Sequence, residues 1–235
     1  MRSDTQRNRR QLIKAAAELF ENSPTPVSLT EIAKRAEVST ATAYRHFSSV
    51  EDVLHAFRAQ VGSELRDFSA AQTTRGMQRL EAVSRHWVSL VLEYGGAMAQ
   101  MRSHRGYLER LRENTGYLAP QAEALTEPLR QTTEDLGLGD LGDEALYLWN
   151  ALFDPRDILD LIKSGRTEDE AASRLVAALR GALIGWSTAP DRKYDRRPEL
   201  LTGDSPGPRL THRLRWTRGR RVGRERCAVR APARS

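Results

Sequence analysis

The chain has 235 residues, of which 39% are hydrophobic and 29% charged, and it carries a formal net charge of +6. A single cysteine, Cys227, argues against both a disulfide framework and a Cys-based metal site. No run of about 18 apolar residues is present, and MRSDTQRNRRQLIK lacks the uninterrupted apolar segment of a secretory signal, so a cytoplasmic protein without a membrane partner is expected. The charge is unevenly divided: 8 basic against 5 acidic residues over 1–47, 15 against 21 over 48–190, and 14 against 5 over 191–235. Positive ends around an acidic middle suit a molecule that presents one surface to a polyanion and holds the rest away from it.

Residues 1–9 are polar and expected to be flexible, with Arg2, Arg7, Arg9 and Arg10 available to phosphates. From about Asn8 to Glu21, Leu12, Ala16, Leu19 and Phe20 form one helical stripe; if Phe20 is buried, its truncation to alanine costs about 3 to 5 kcal/mol. Ser28 with Glu31 forms a capping box that opens a helix whose Leu29, Ile32, Ala33 and Ala36 share a face. A tight corner at Glu37 follows, and Ser39 caps a second short helix from Thr40 to Phe47. Two helices this close form a helix-turn-helix. Small residues at the start of the second helix let its backbone approach base edges, and Arg45 and His46 add donors. Thr40 to Phe47 is therefore the candidate helix for reading a major groove.

The segment Ser48-Ser49 can cap a helix from about Val50 to Ala70, whose stripe of Val53, Leu54, Phe57, Val61, Leu65 and Phe68 is long enough to connect a head to a body. A helix from about Met77 to Met101 contains Gly95-Gly96, which can kink it or admit another helix closely. Shorter helices are predicted at Tyr107 to Arg112 and at Pro120 to Leu136, the latter distorted by Pro128. Residues 137–142, GLGDLG, match a dinucleotide-binding string, but a helical pattern precedes them where a strand is required, so they are read as a loop between helices. The last predicted helices run from about Asp143 to Lys163, interrupted at Asp154-Pro155, and from Glu168 to Trp186 after a Thr167/Glu170 capping box. Beyond Pro190 periodicity is lost to Arg, Pro and Gly, and disorder is expected.

The fold class is all-α, with three expected sections: 1–49 as a helix-turn-helix head, 50–188 as a helical body, for which the resemblance described next implies effector binding and dimerisation, and 189–235 as a basic tail. Residues 10–54, with RQLIKAAAELF, SLTEIAKRAEVSTATAYRHF and SSVEDVL, resemble the N-terminal DNA-binding domain of TetR-type transcriptional regulators. The resemblance implies a homodimer in which Thr40, Ala41 and Thr42 face bases, while Tyr44, His46 and Thr30 meet the DNA backbone, with Arg45 beside them. It also implies that the final helices pair with those of a partner subunit, which nominates Trp149, Leu175, Leu179, Leu183 and Trp186 for the interface. The sequence departs from the family in two places. Glu37 stands in the corner where glycine is frequent, and Val50 stands where a phosphate-binding lysine is common, so one phosphate contact should be lacking.

A ligand-responsive repressor of a palindromic operator follows, with two reading helices about 34 to 36 Å apart or a multiple of one turn wider. The effector is not legible, but Trp87, Tyr94, Met98, Met101, Tyr107, Tyr117 and Trp149 are aromatic or soft residues able to line an apolar pocket. No catalytic grouping, metal cluster or cofactor motif is visible, so an enzyme is not expected. The alternative is a nonspecific nucleic-acid-binding protein acting through its tail; removing residues 191–235 separates the two.

Overall fold

The structure is a computed structural model that describes residues 2–22, 27–99, 105–113 and 116–188. In these, ten helices and no strand occur: α1 (Arg2–Asn22), α2 (Leu29–Arg35), α3 (Thr40–His46), α4 (Val50–Ala71), α5 (Gly76–Ala99), α6 (Tyr107–Arg112), α7 (Ala119–Asp135), α8 (Gly142–Leu152), α9 (Pro155–Lys163) and α10 (Glu168–Thr188). The protein is all-α, as its periodicity predicts. Its basic tail, including Cys227, lies outside the described residues.

Helices α1 to α3 form a small head around Leu12, Ala16, Ile32 and Ala43, all with 0% exposure. Helix α1 begins at Arg2 rather than near Asn8, which corrects the expectation of a flexible leader. Its first turns carry no apolar stripe, so periodicity could not reveal them. Phe20 is half-buried, and truncating it should therefore cost less than the range predicted for a buried ring. Helix α1 also packs on α4 and α5, so the head is held to the body through two helices rather than through α4 alone.

The body is built on α4, which packs most extensively against α7, and on α5, which meets α7, α9 and α10. Its centre is aromatic. Trp87 and Trp149 meet edge to face at 5.4 Å between centroids, and Trp149 stacks on Phe153 at 5.0 Å. Both indoles are satisfied: Trp87 Nε1 donates to the Phe153 carbonyl and Trp149 Nε1 to Ser84 Oγ, each at 3.0 Å.

Three details explain how helices continue or stop. Pro128 lies inside α7, where it lacks the N–H that would bond the carbonyl of Ala124. Buried Ser69 of α4 donates its hydroxyl to that carbonyl at 2.7 Å, so the defect is repaired by a neighbouring helix. Gly95 does not end α5; a Cβ there would come within 2.9 Å of Leu159, so the residue permits close approach by α9. Finally, α7 ends in a Schellman motif, with Leu138 N bonded to Thr133 O and Gly137 N to Glu134 O, and Gly137 at φ 69°. The glycine-rich string thus terminates a helix, as predicted. The stretch from Asp143 to Lys163 is interrupted at Asp154-Pro155, as predicted, where Asp154 caps α9, its carboxylate accepting from Arg156 N at 2.9 Å.

Candidate nucleic-acid interface

The α2–α3 pair is shaped by caps at every end. Ser28 Oγ accepts from Glu31 N at 3.2 Å, and the Glu31 carboxylate accepts from Ser28 N at 2.8 Å. That reciprocal pair satisfies two helix-terminal donors. Hydrogen bonds from the Ser28 side chain and backbone hold the Glu31 carboxyl below the usual carboxylate range. The far end of α2 closes as a second Schellman motif, in which Val38 N reaches Ala33 O at 3.0 Å and Glu37 N reaches Lys34 O at 3.2 Å. Glu37 occupies the left-handed position at φ 55°, where glycine is usual, as the sequence predicts. Ser39 then opens α3, accepting from Thr42 N at 3.1 Å.

Helix α3 has one anchored face and one open face. Ala43 and Phe47 are buried at 0% and 4% exposure, and Arg9 of α1 lies over the Phe47 ring at 4.9 Å from its centroid. Tyr44, one turn before Phe47, is 57% exposed. Thr40, Ala41 and Arg45 are exposed as well, while Thr42 and His46 are half-buried. The Thr42 hydroxyl shares a 2.8 Å hydrogen bond with Ser39 Oγ and accepts from Arg45 at 3.3 Å, so this corner is ordered before anything touches it. Thr30 is exposed on α2. The Arg35 guanidinium of α2 clamps Glu18 of α1 with two hydrogen bonds at 2.6 and 2.9 Å, fixing the pair on its buttress. This contact spans 17 positions in sequence, and no local pattern announces it.

Opposite charge is placed at the start of α4. Ser48 N and Oγ both donate to Asp52, and Asp52 N donates to Ser49 Oγ at 3.1 Å; the Ser48 hydroxyl is the main cause of a lowered Asp52 pKa. Val50 is half-buried against the core, so its apolar side chain serves packing.

The residues nominated for the body are placed differently from the simple expectation. Trp87, Met98, Tyr107 and Trp149 are buried, Tyr94 and Tyr117 half-buried, and Met101 lies outside the described residues. Trp87 and Trp149 are core residues with satisfied indoles. Tyr94 lines an open cleft of about 590 Å³ between α1, α4 and α5, whereas Tyr107 and Tyr117 belong to a different group of side chains around Arg58. Of the five residues nominated for a subunit interface, Trp149, Leu175, Leu179 and Leu183 are packed into the chain's own core at 8% exposure or less. That is a correction: a stripe of helical period shows that a face is buried but not against which chain. Trp186 remains on the surface at 43%, beside Tyr147 and Ile184, and Gly181 and Gly185 have open space where a Cβ would stand. No group of His, Cys, Asp and Glu suited to a metal occurs among the described residues, and no described helix is long and apolar enough to cross a membrane.

Comparison with known proteins agrees with this geometry. The family model for bacterial regulatory proteins of the tetR family matches residues 12–57, which cover α2, α3 and most of α1. The fold is similar to that of the fatty acid degradation regulator FadR from Bacillus halodurans (TM-score 0.57, 18% identity, over 76% of this chain and 95% of that one). It is also similar to a tetR-family transcriptional regulator from Streptomyces coelicolor (TM-score 0.54, 23% identity, over 79% and 84%). No curated protein matches. The head thus matches the tetR-family model over residues 12–57, and the chain shares the all-α fold of these two solved structures.

Proposed function

We propose that this chain, whose residues 12–57 match the family model of tetR-type bacterial regulatory proteins, is a ligand-responsive repressor binding a palindromic operator as a homodimer. The observation that carries this is the division of α3 into a buried face, Ala43 and Phe47, and an open face that includes a 57% exposed tyrosine. An exposed aromatic on an otherwise well-packed short helix has no use in folding, and a hydroxyl at its tip suits a phosphate oxygen. In this reading Thr40, Ala41 and Thr42 approach bases, with Arg45 held near them by Thr42. Tyr44, His46 and Thr30 position the helix on the backbone.

The partner surface proposed is the outer side of α8 and α10. Tyr147, Ile184 and Trp186 are among the few large apolar residues left exposed, and Ala177, Ala178, Gly181 and Gly185 beside them would let a second helix come close. An effector in the body would favour a head separation that does not fit the operator, by as much as it prefers that state. The cleft of about 590 Å³ and the contacts of α1 with both α4 and α5 give that coupling a physical route.

The test is a mobility shift with DNA from upstream of the protein's own gene, using the full chain and a chain lacking residues 191–235. Both should shift a specific palindromic fragment and spare unrelated DNA. Equal shift of every fragment, lost on removal of the tail, would instead establish nonspecific binding through the basic tail.

A further inference from the structure

The guanidinium of Arg58, on α4, is the most unusual charge in the body. It is half-buried as a residue, yet its Nε is out of reach of solvent and has no hydrogen-bond partner. A single hydrogen bond among the described residues runs from its Nη2 to Gln121 Oε1, at a long 3.4 Å. Among the described residues no carboxylate lies within ion-pairing distance of it. Asp154, an acid that does influence it, already accepts from Arg156 Nε at 2.9 Å, Arg156 Nη2 at 2.6 Å and Arg156 N at 2.9 Å.

The remaining neighbours increase the positive character of the place. Arg110 of α6 lies near enough to oppose the charge on Arg58, and it approaches the Tyr117 hydroxyl at 3.4 Å. The Arg58 guanidinium stands 5.7 Å from the Tyr117 ring centroid, and His55 stacks on Tyr117 at 4.2 Å between centroids. Burial is the largest influence on Arg58 and pushes its pKa down, with Arg110 next. Tyr107, buried close by, is pushed up to about 12 chiefly by desolvation, so it is a neutral hydroxyl at physiological pH.

Arg79 makes an instructive contrast. Its Nε is also unpartnered, but its Nη2 donates to the Ser69 carbonyl at 2.9 Å, and Glu127 lies close enough for Arg79 to help lower the Glu127 pKa. Arg79 therefore ties helices together and has an acid nearby. Arg58 reaches α7 only through the long bond to Gln121, and Asp154, the acid that feels its charge, is already engaged by Arg156. A buried cation whose neighbours are a second cation and two phenols is costly unless an anion arrives from outside the chain. Arginine meets such an anion through paired N–H donors, and phenol hydroxyls can complete the set.

We infer that the Arg58 guanidinium, with Arg110, Tyr107 and Tyr117 around it, is the seat for the oxyanion of a small organic acid, so that the effector of this regulator is an anion. The group joins α4, α6 and α7, and α4 begins directly after the DNA-reading helix, so filling the seat bears on the helix that carries the head. The inference rests on the effector-responsive reading above and narrows it to a chemical class.

The experiment uses the full chain in a chloride buffer and follows its melting temperature with benzoate, octanoate and inorganic phosphate, against benzamide and octanamide as neutral counterparts. A bound anion at about five times its Kd should raise Tm by about 2 to 4 °C, and the amides should not. A rise with phosphate alone assigns the seat to phosphorylated acids, and a rise with the carboxylates assigns it to carboxylic acids. In Arg58→Met the rise should vanish, while the ligand-free variant melts no lower than the wild-type chain, because an uncompensated buried charge has been removed. Arg58→Lys, which keeps the charge and loses the fork, should keep a reduced rise. Absence of any anion-dependent rise in the wild-type chain overturns the inference, as does a rise that persists in Arg58→Met. An Arg58→Met chain that melts lower or fails to fold also overturns it, since the guanidinium would then be structural. A wild-type chain that binds operator and is released by a neutral or cationic compound would leave the regulator standing and remove only the anion.

Discussion

Tyr44 and Phe47 lie on the same short helix one turn apart, and their environments differ enough that substituting each by alanine should give opposite results. Phe47 is 4% exposed and packed against the head, so Phe47→Ala should lose about 3 to 5 kcal/mol of stability, a large part of a typical domain's total of about 5 to 15 kcal/mol. Tyr44 is 57% exposed, so Tyr44→Ala should change stability by no more than about 0.5 kcal/mol. Its hydroxyl would nevertheless be lost from a charged phosphate, which is worth about 1.5 to 3 kcal/mol per half-site, or roughly ten-fold to more than a hundred-fold in affinity. Urea denaturation gives the first quantity, and fluorescence anisotropy with a labelled operator gives the second. Tyr44→Phe should reproduce most of the affinity loss without altering the salt dependence, because no cation is removed, whereas Arg45→Gln should reduce the slope by about 1 if Arg45 meets a phosphate. The reasoning fails if Tyr44→Ala unfolds as Phe47→Ala does, or if it binds operator as tightly as the wild-type chain.

Three further outcomes follow from particular residues. Glu37→Gly relieves a left-handed conformation costing about 1 to 2 kcal/mol, offset by glycine's greater freedom when unfolded; a net gain of up to about 1 kcal/mol is expected in urea denaturation, and a loss would mean that Glu37 makes an unrecognised contact. Gly181→Arg should fold normally, since a Cβ there meets nothing within 4 Å, but sediment as a monomer; an unchanged dimer would move the interface away from α10. Tyr107 has a folded pKa raised to about 12 from an ordinary value near 10. Its contribution is therefore fully present below about pH 10 and is lost as pH rises toward about 12, by about 3 kcal/mol. Tyr107→Phe should flatten that alkaline loss of stability in denaturation curves, and an unchanged alkaline limb would show that Tyr107 titrates as an ordinary phenol.

Much of the head was legible because its signals are local. The Ser28/Glu31 box, the Ser39 cap and the corner at Glu37 each act within a few residues, and all appear in the structure. What could not be read depended on distant partners. The hydroxyl of Ser69 lets α7 continue through Pro128, and Leu159 explains Gly95, yet each lies 55 or more residues from its partner. Polar first turns hid the start of α1. On α10 Leu175, Leu179 and Leu183 face the chain's own core while Ile184 and Trp186 lie outward beside Gly181 and Gly185, so a pattern that fixes burial did not fix the partner. The Arg58 cluster was missed for a related reason: His55, Arg58, Arg110 and Gln121 are unremarkable where they stand in sequence, and only the fold brings them together around a buried guanidinium that has no ion pair among the described residues.

The most direct test of the proposed regulator is methylation interference at guanine N7, which lies in the major groove, on the operator bound by the full chain. Two symmetric blocks of interference are expected, centred about 34 to 36 Å apart or a whole number of turns wider, and both should weaken together in Tyr44→Ala. A single block, or interference spread evenly along any DNA, would mean that α3 does not enter the groove twice in a symmetric pair.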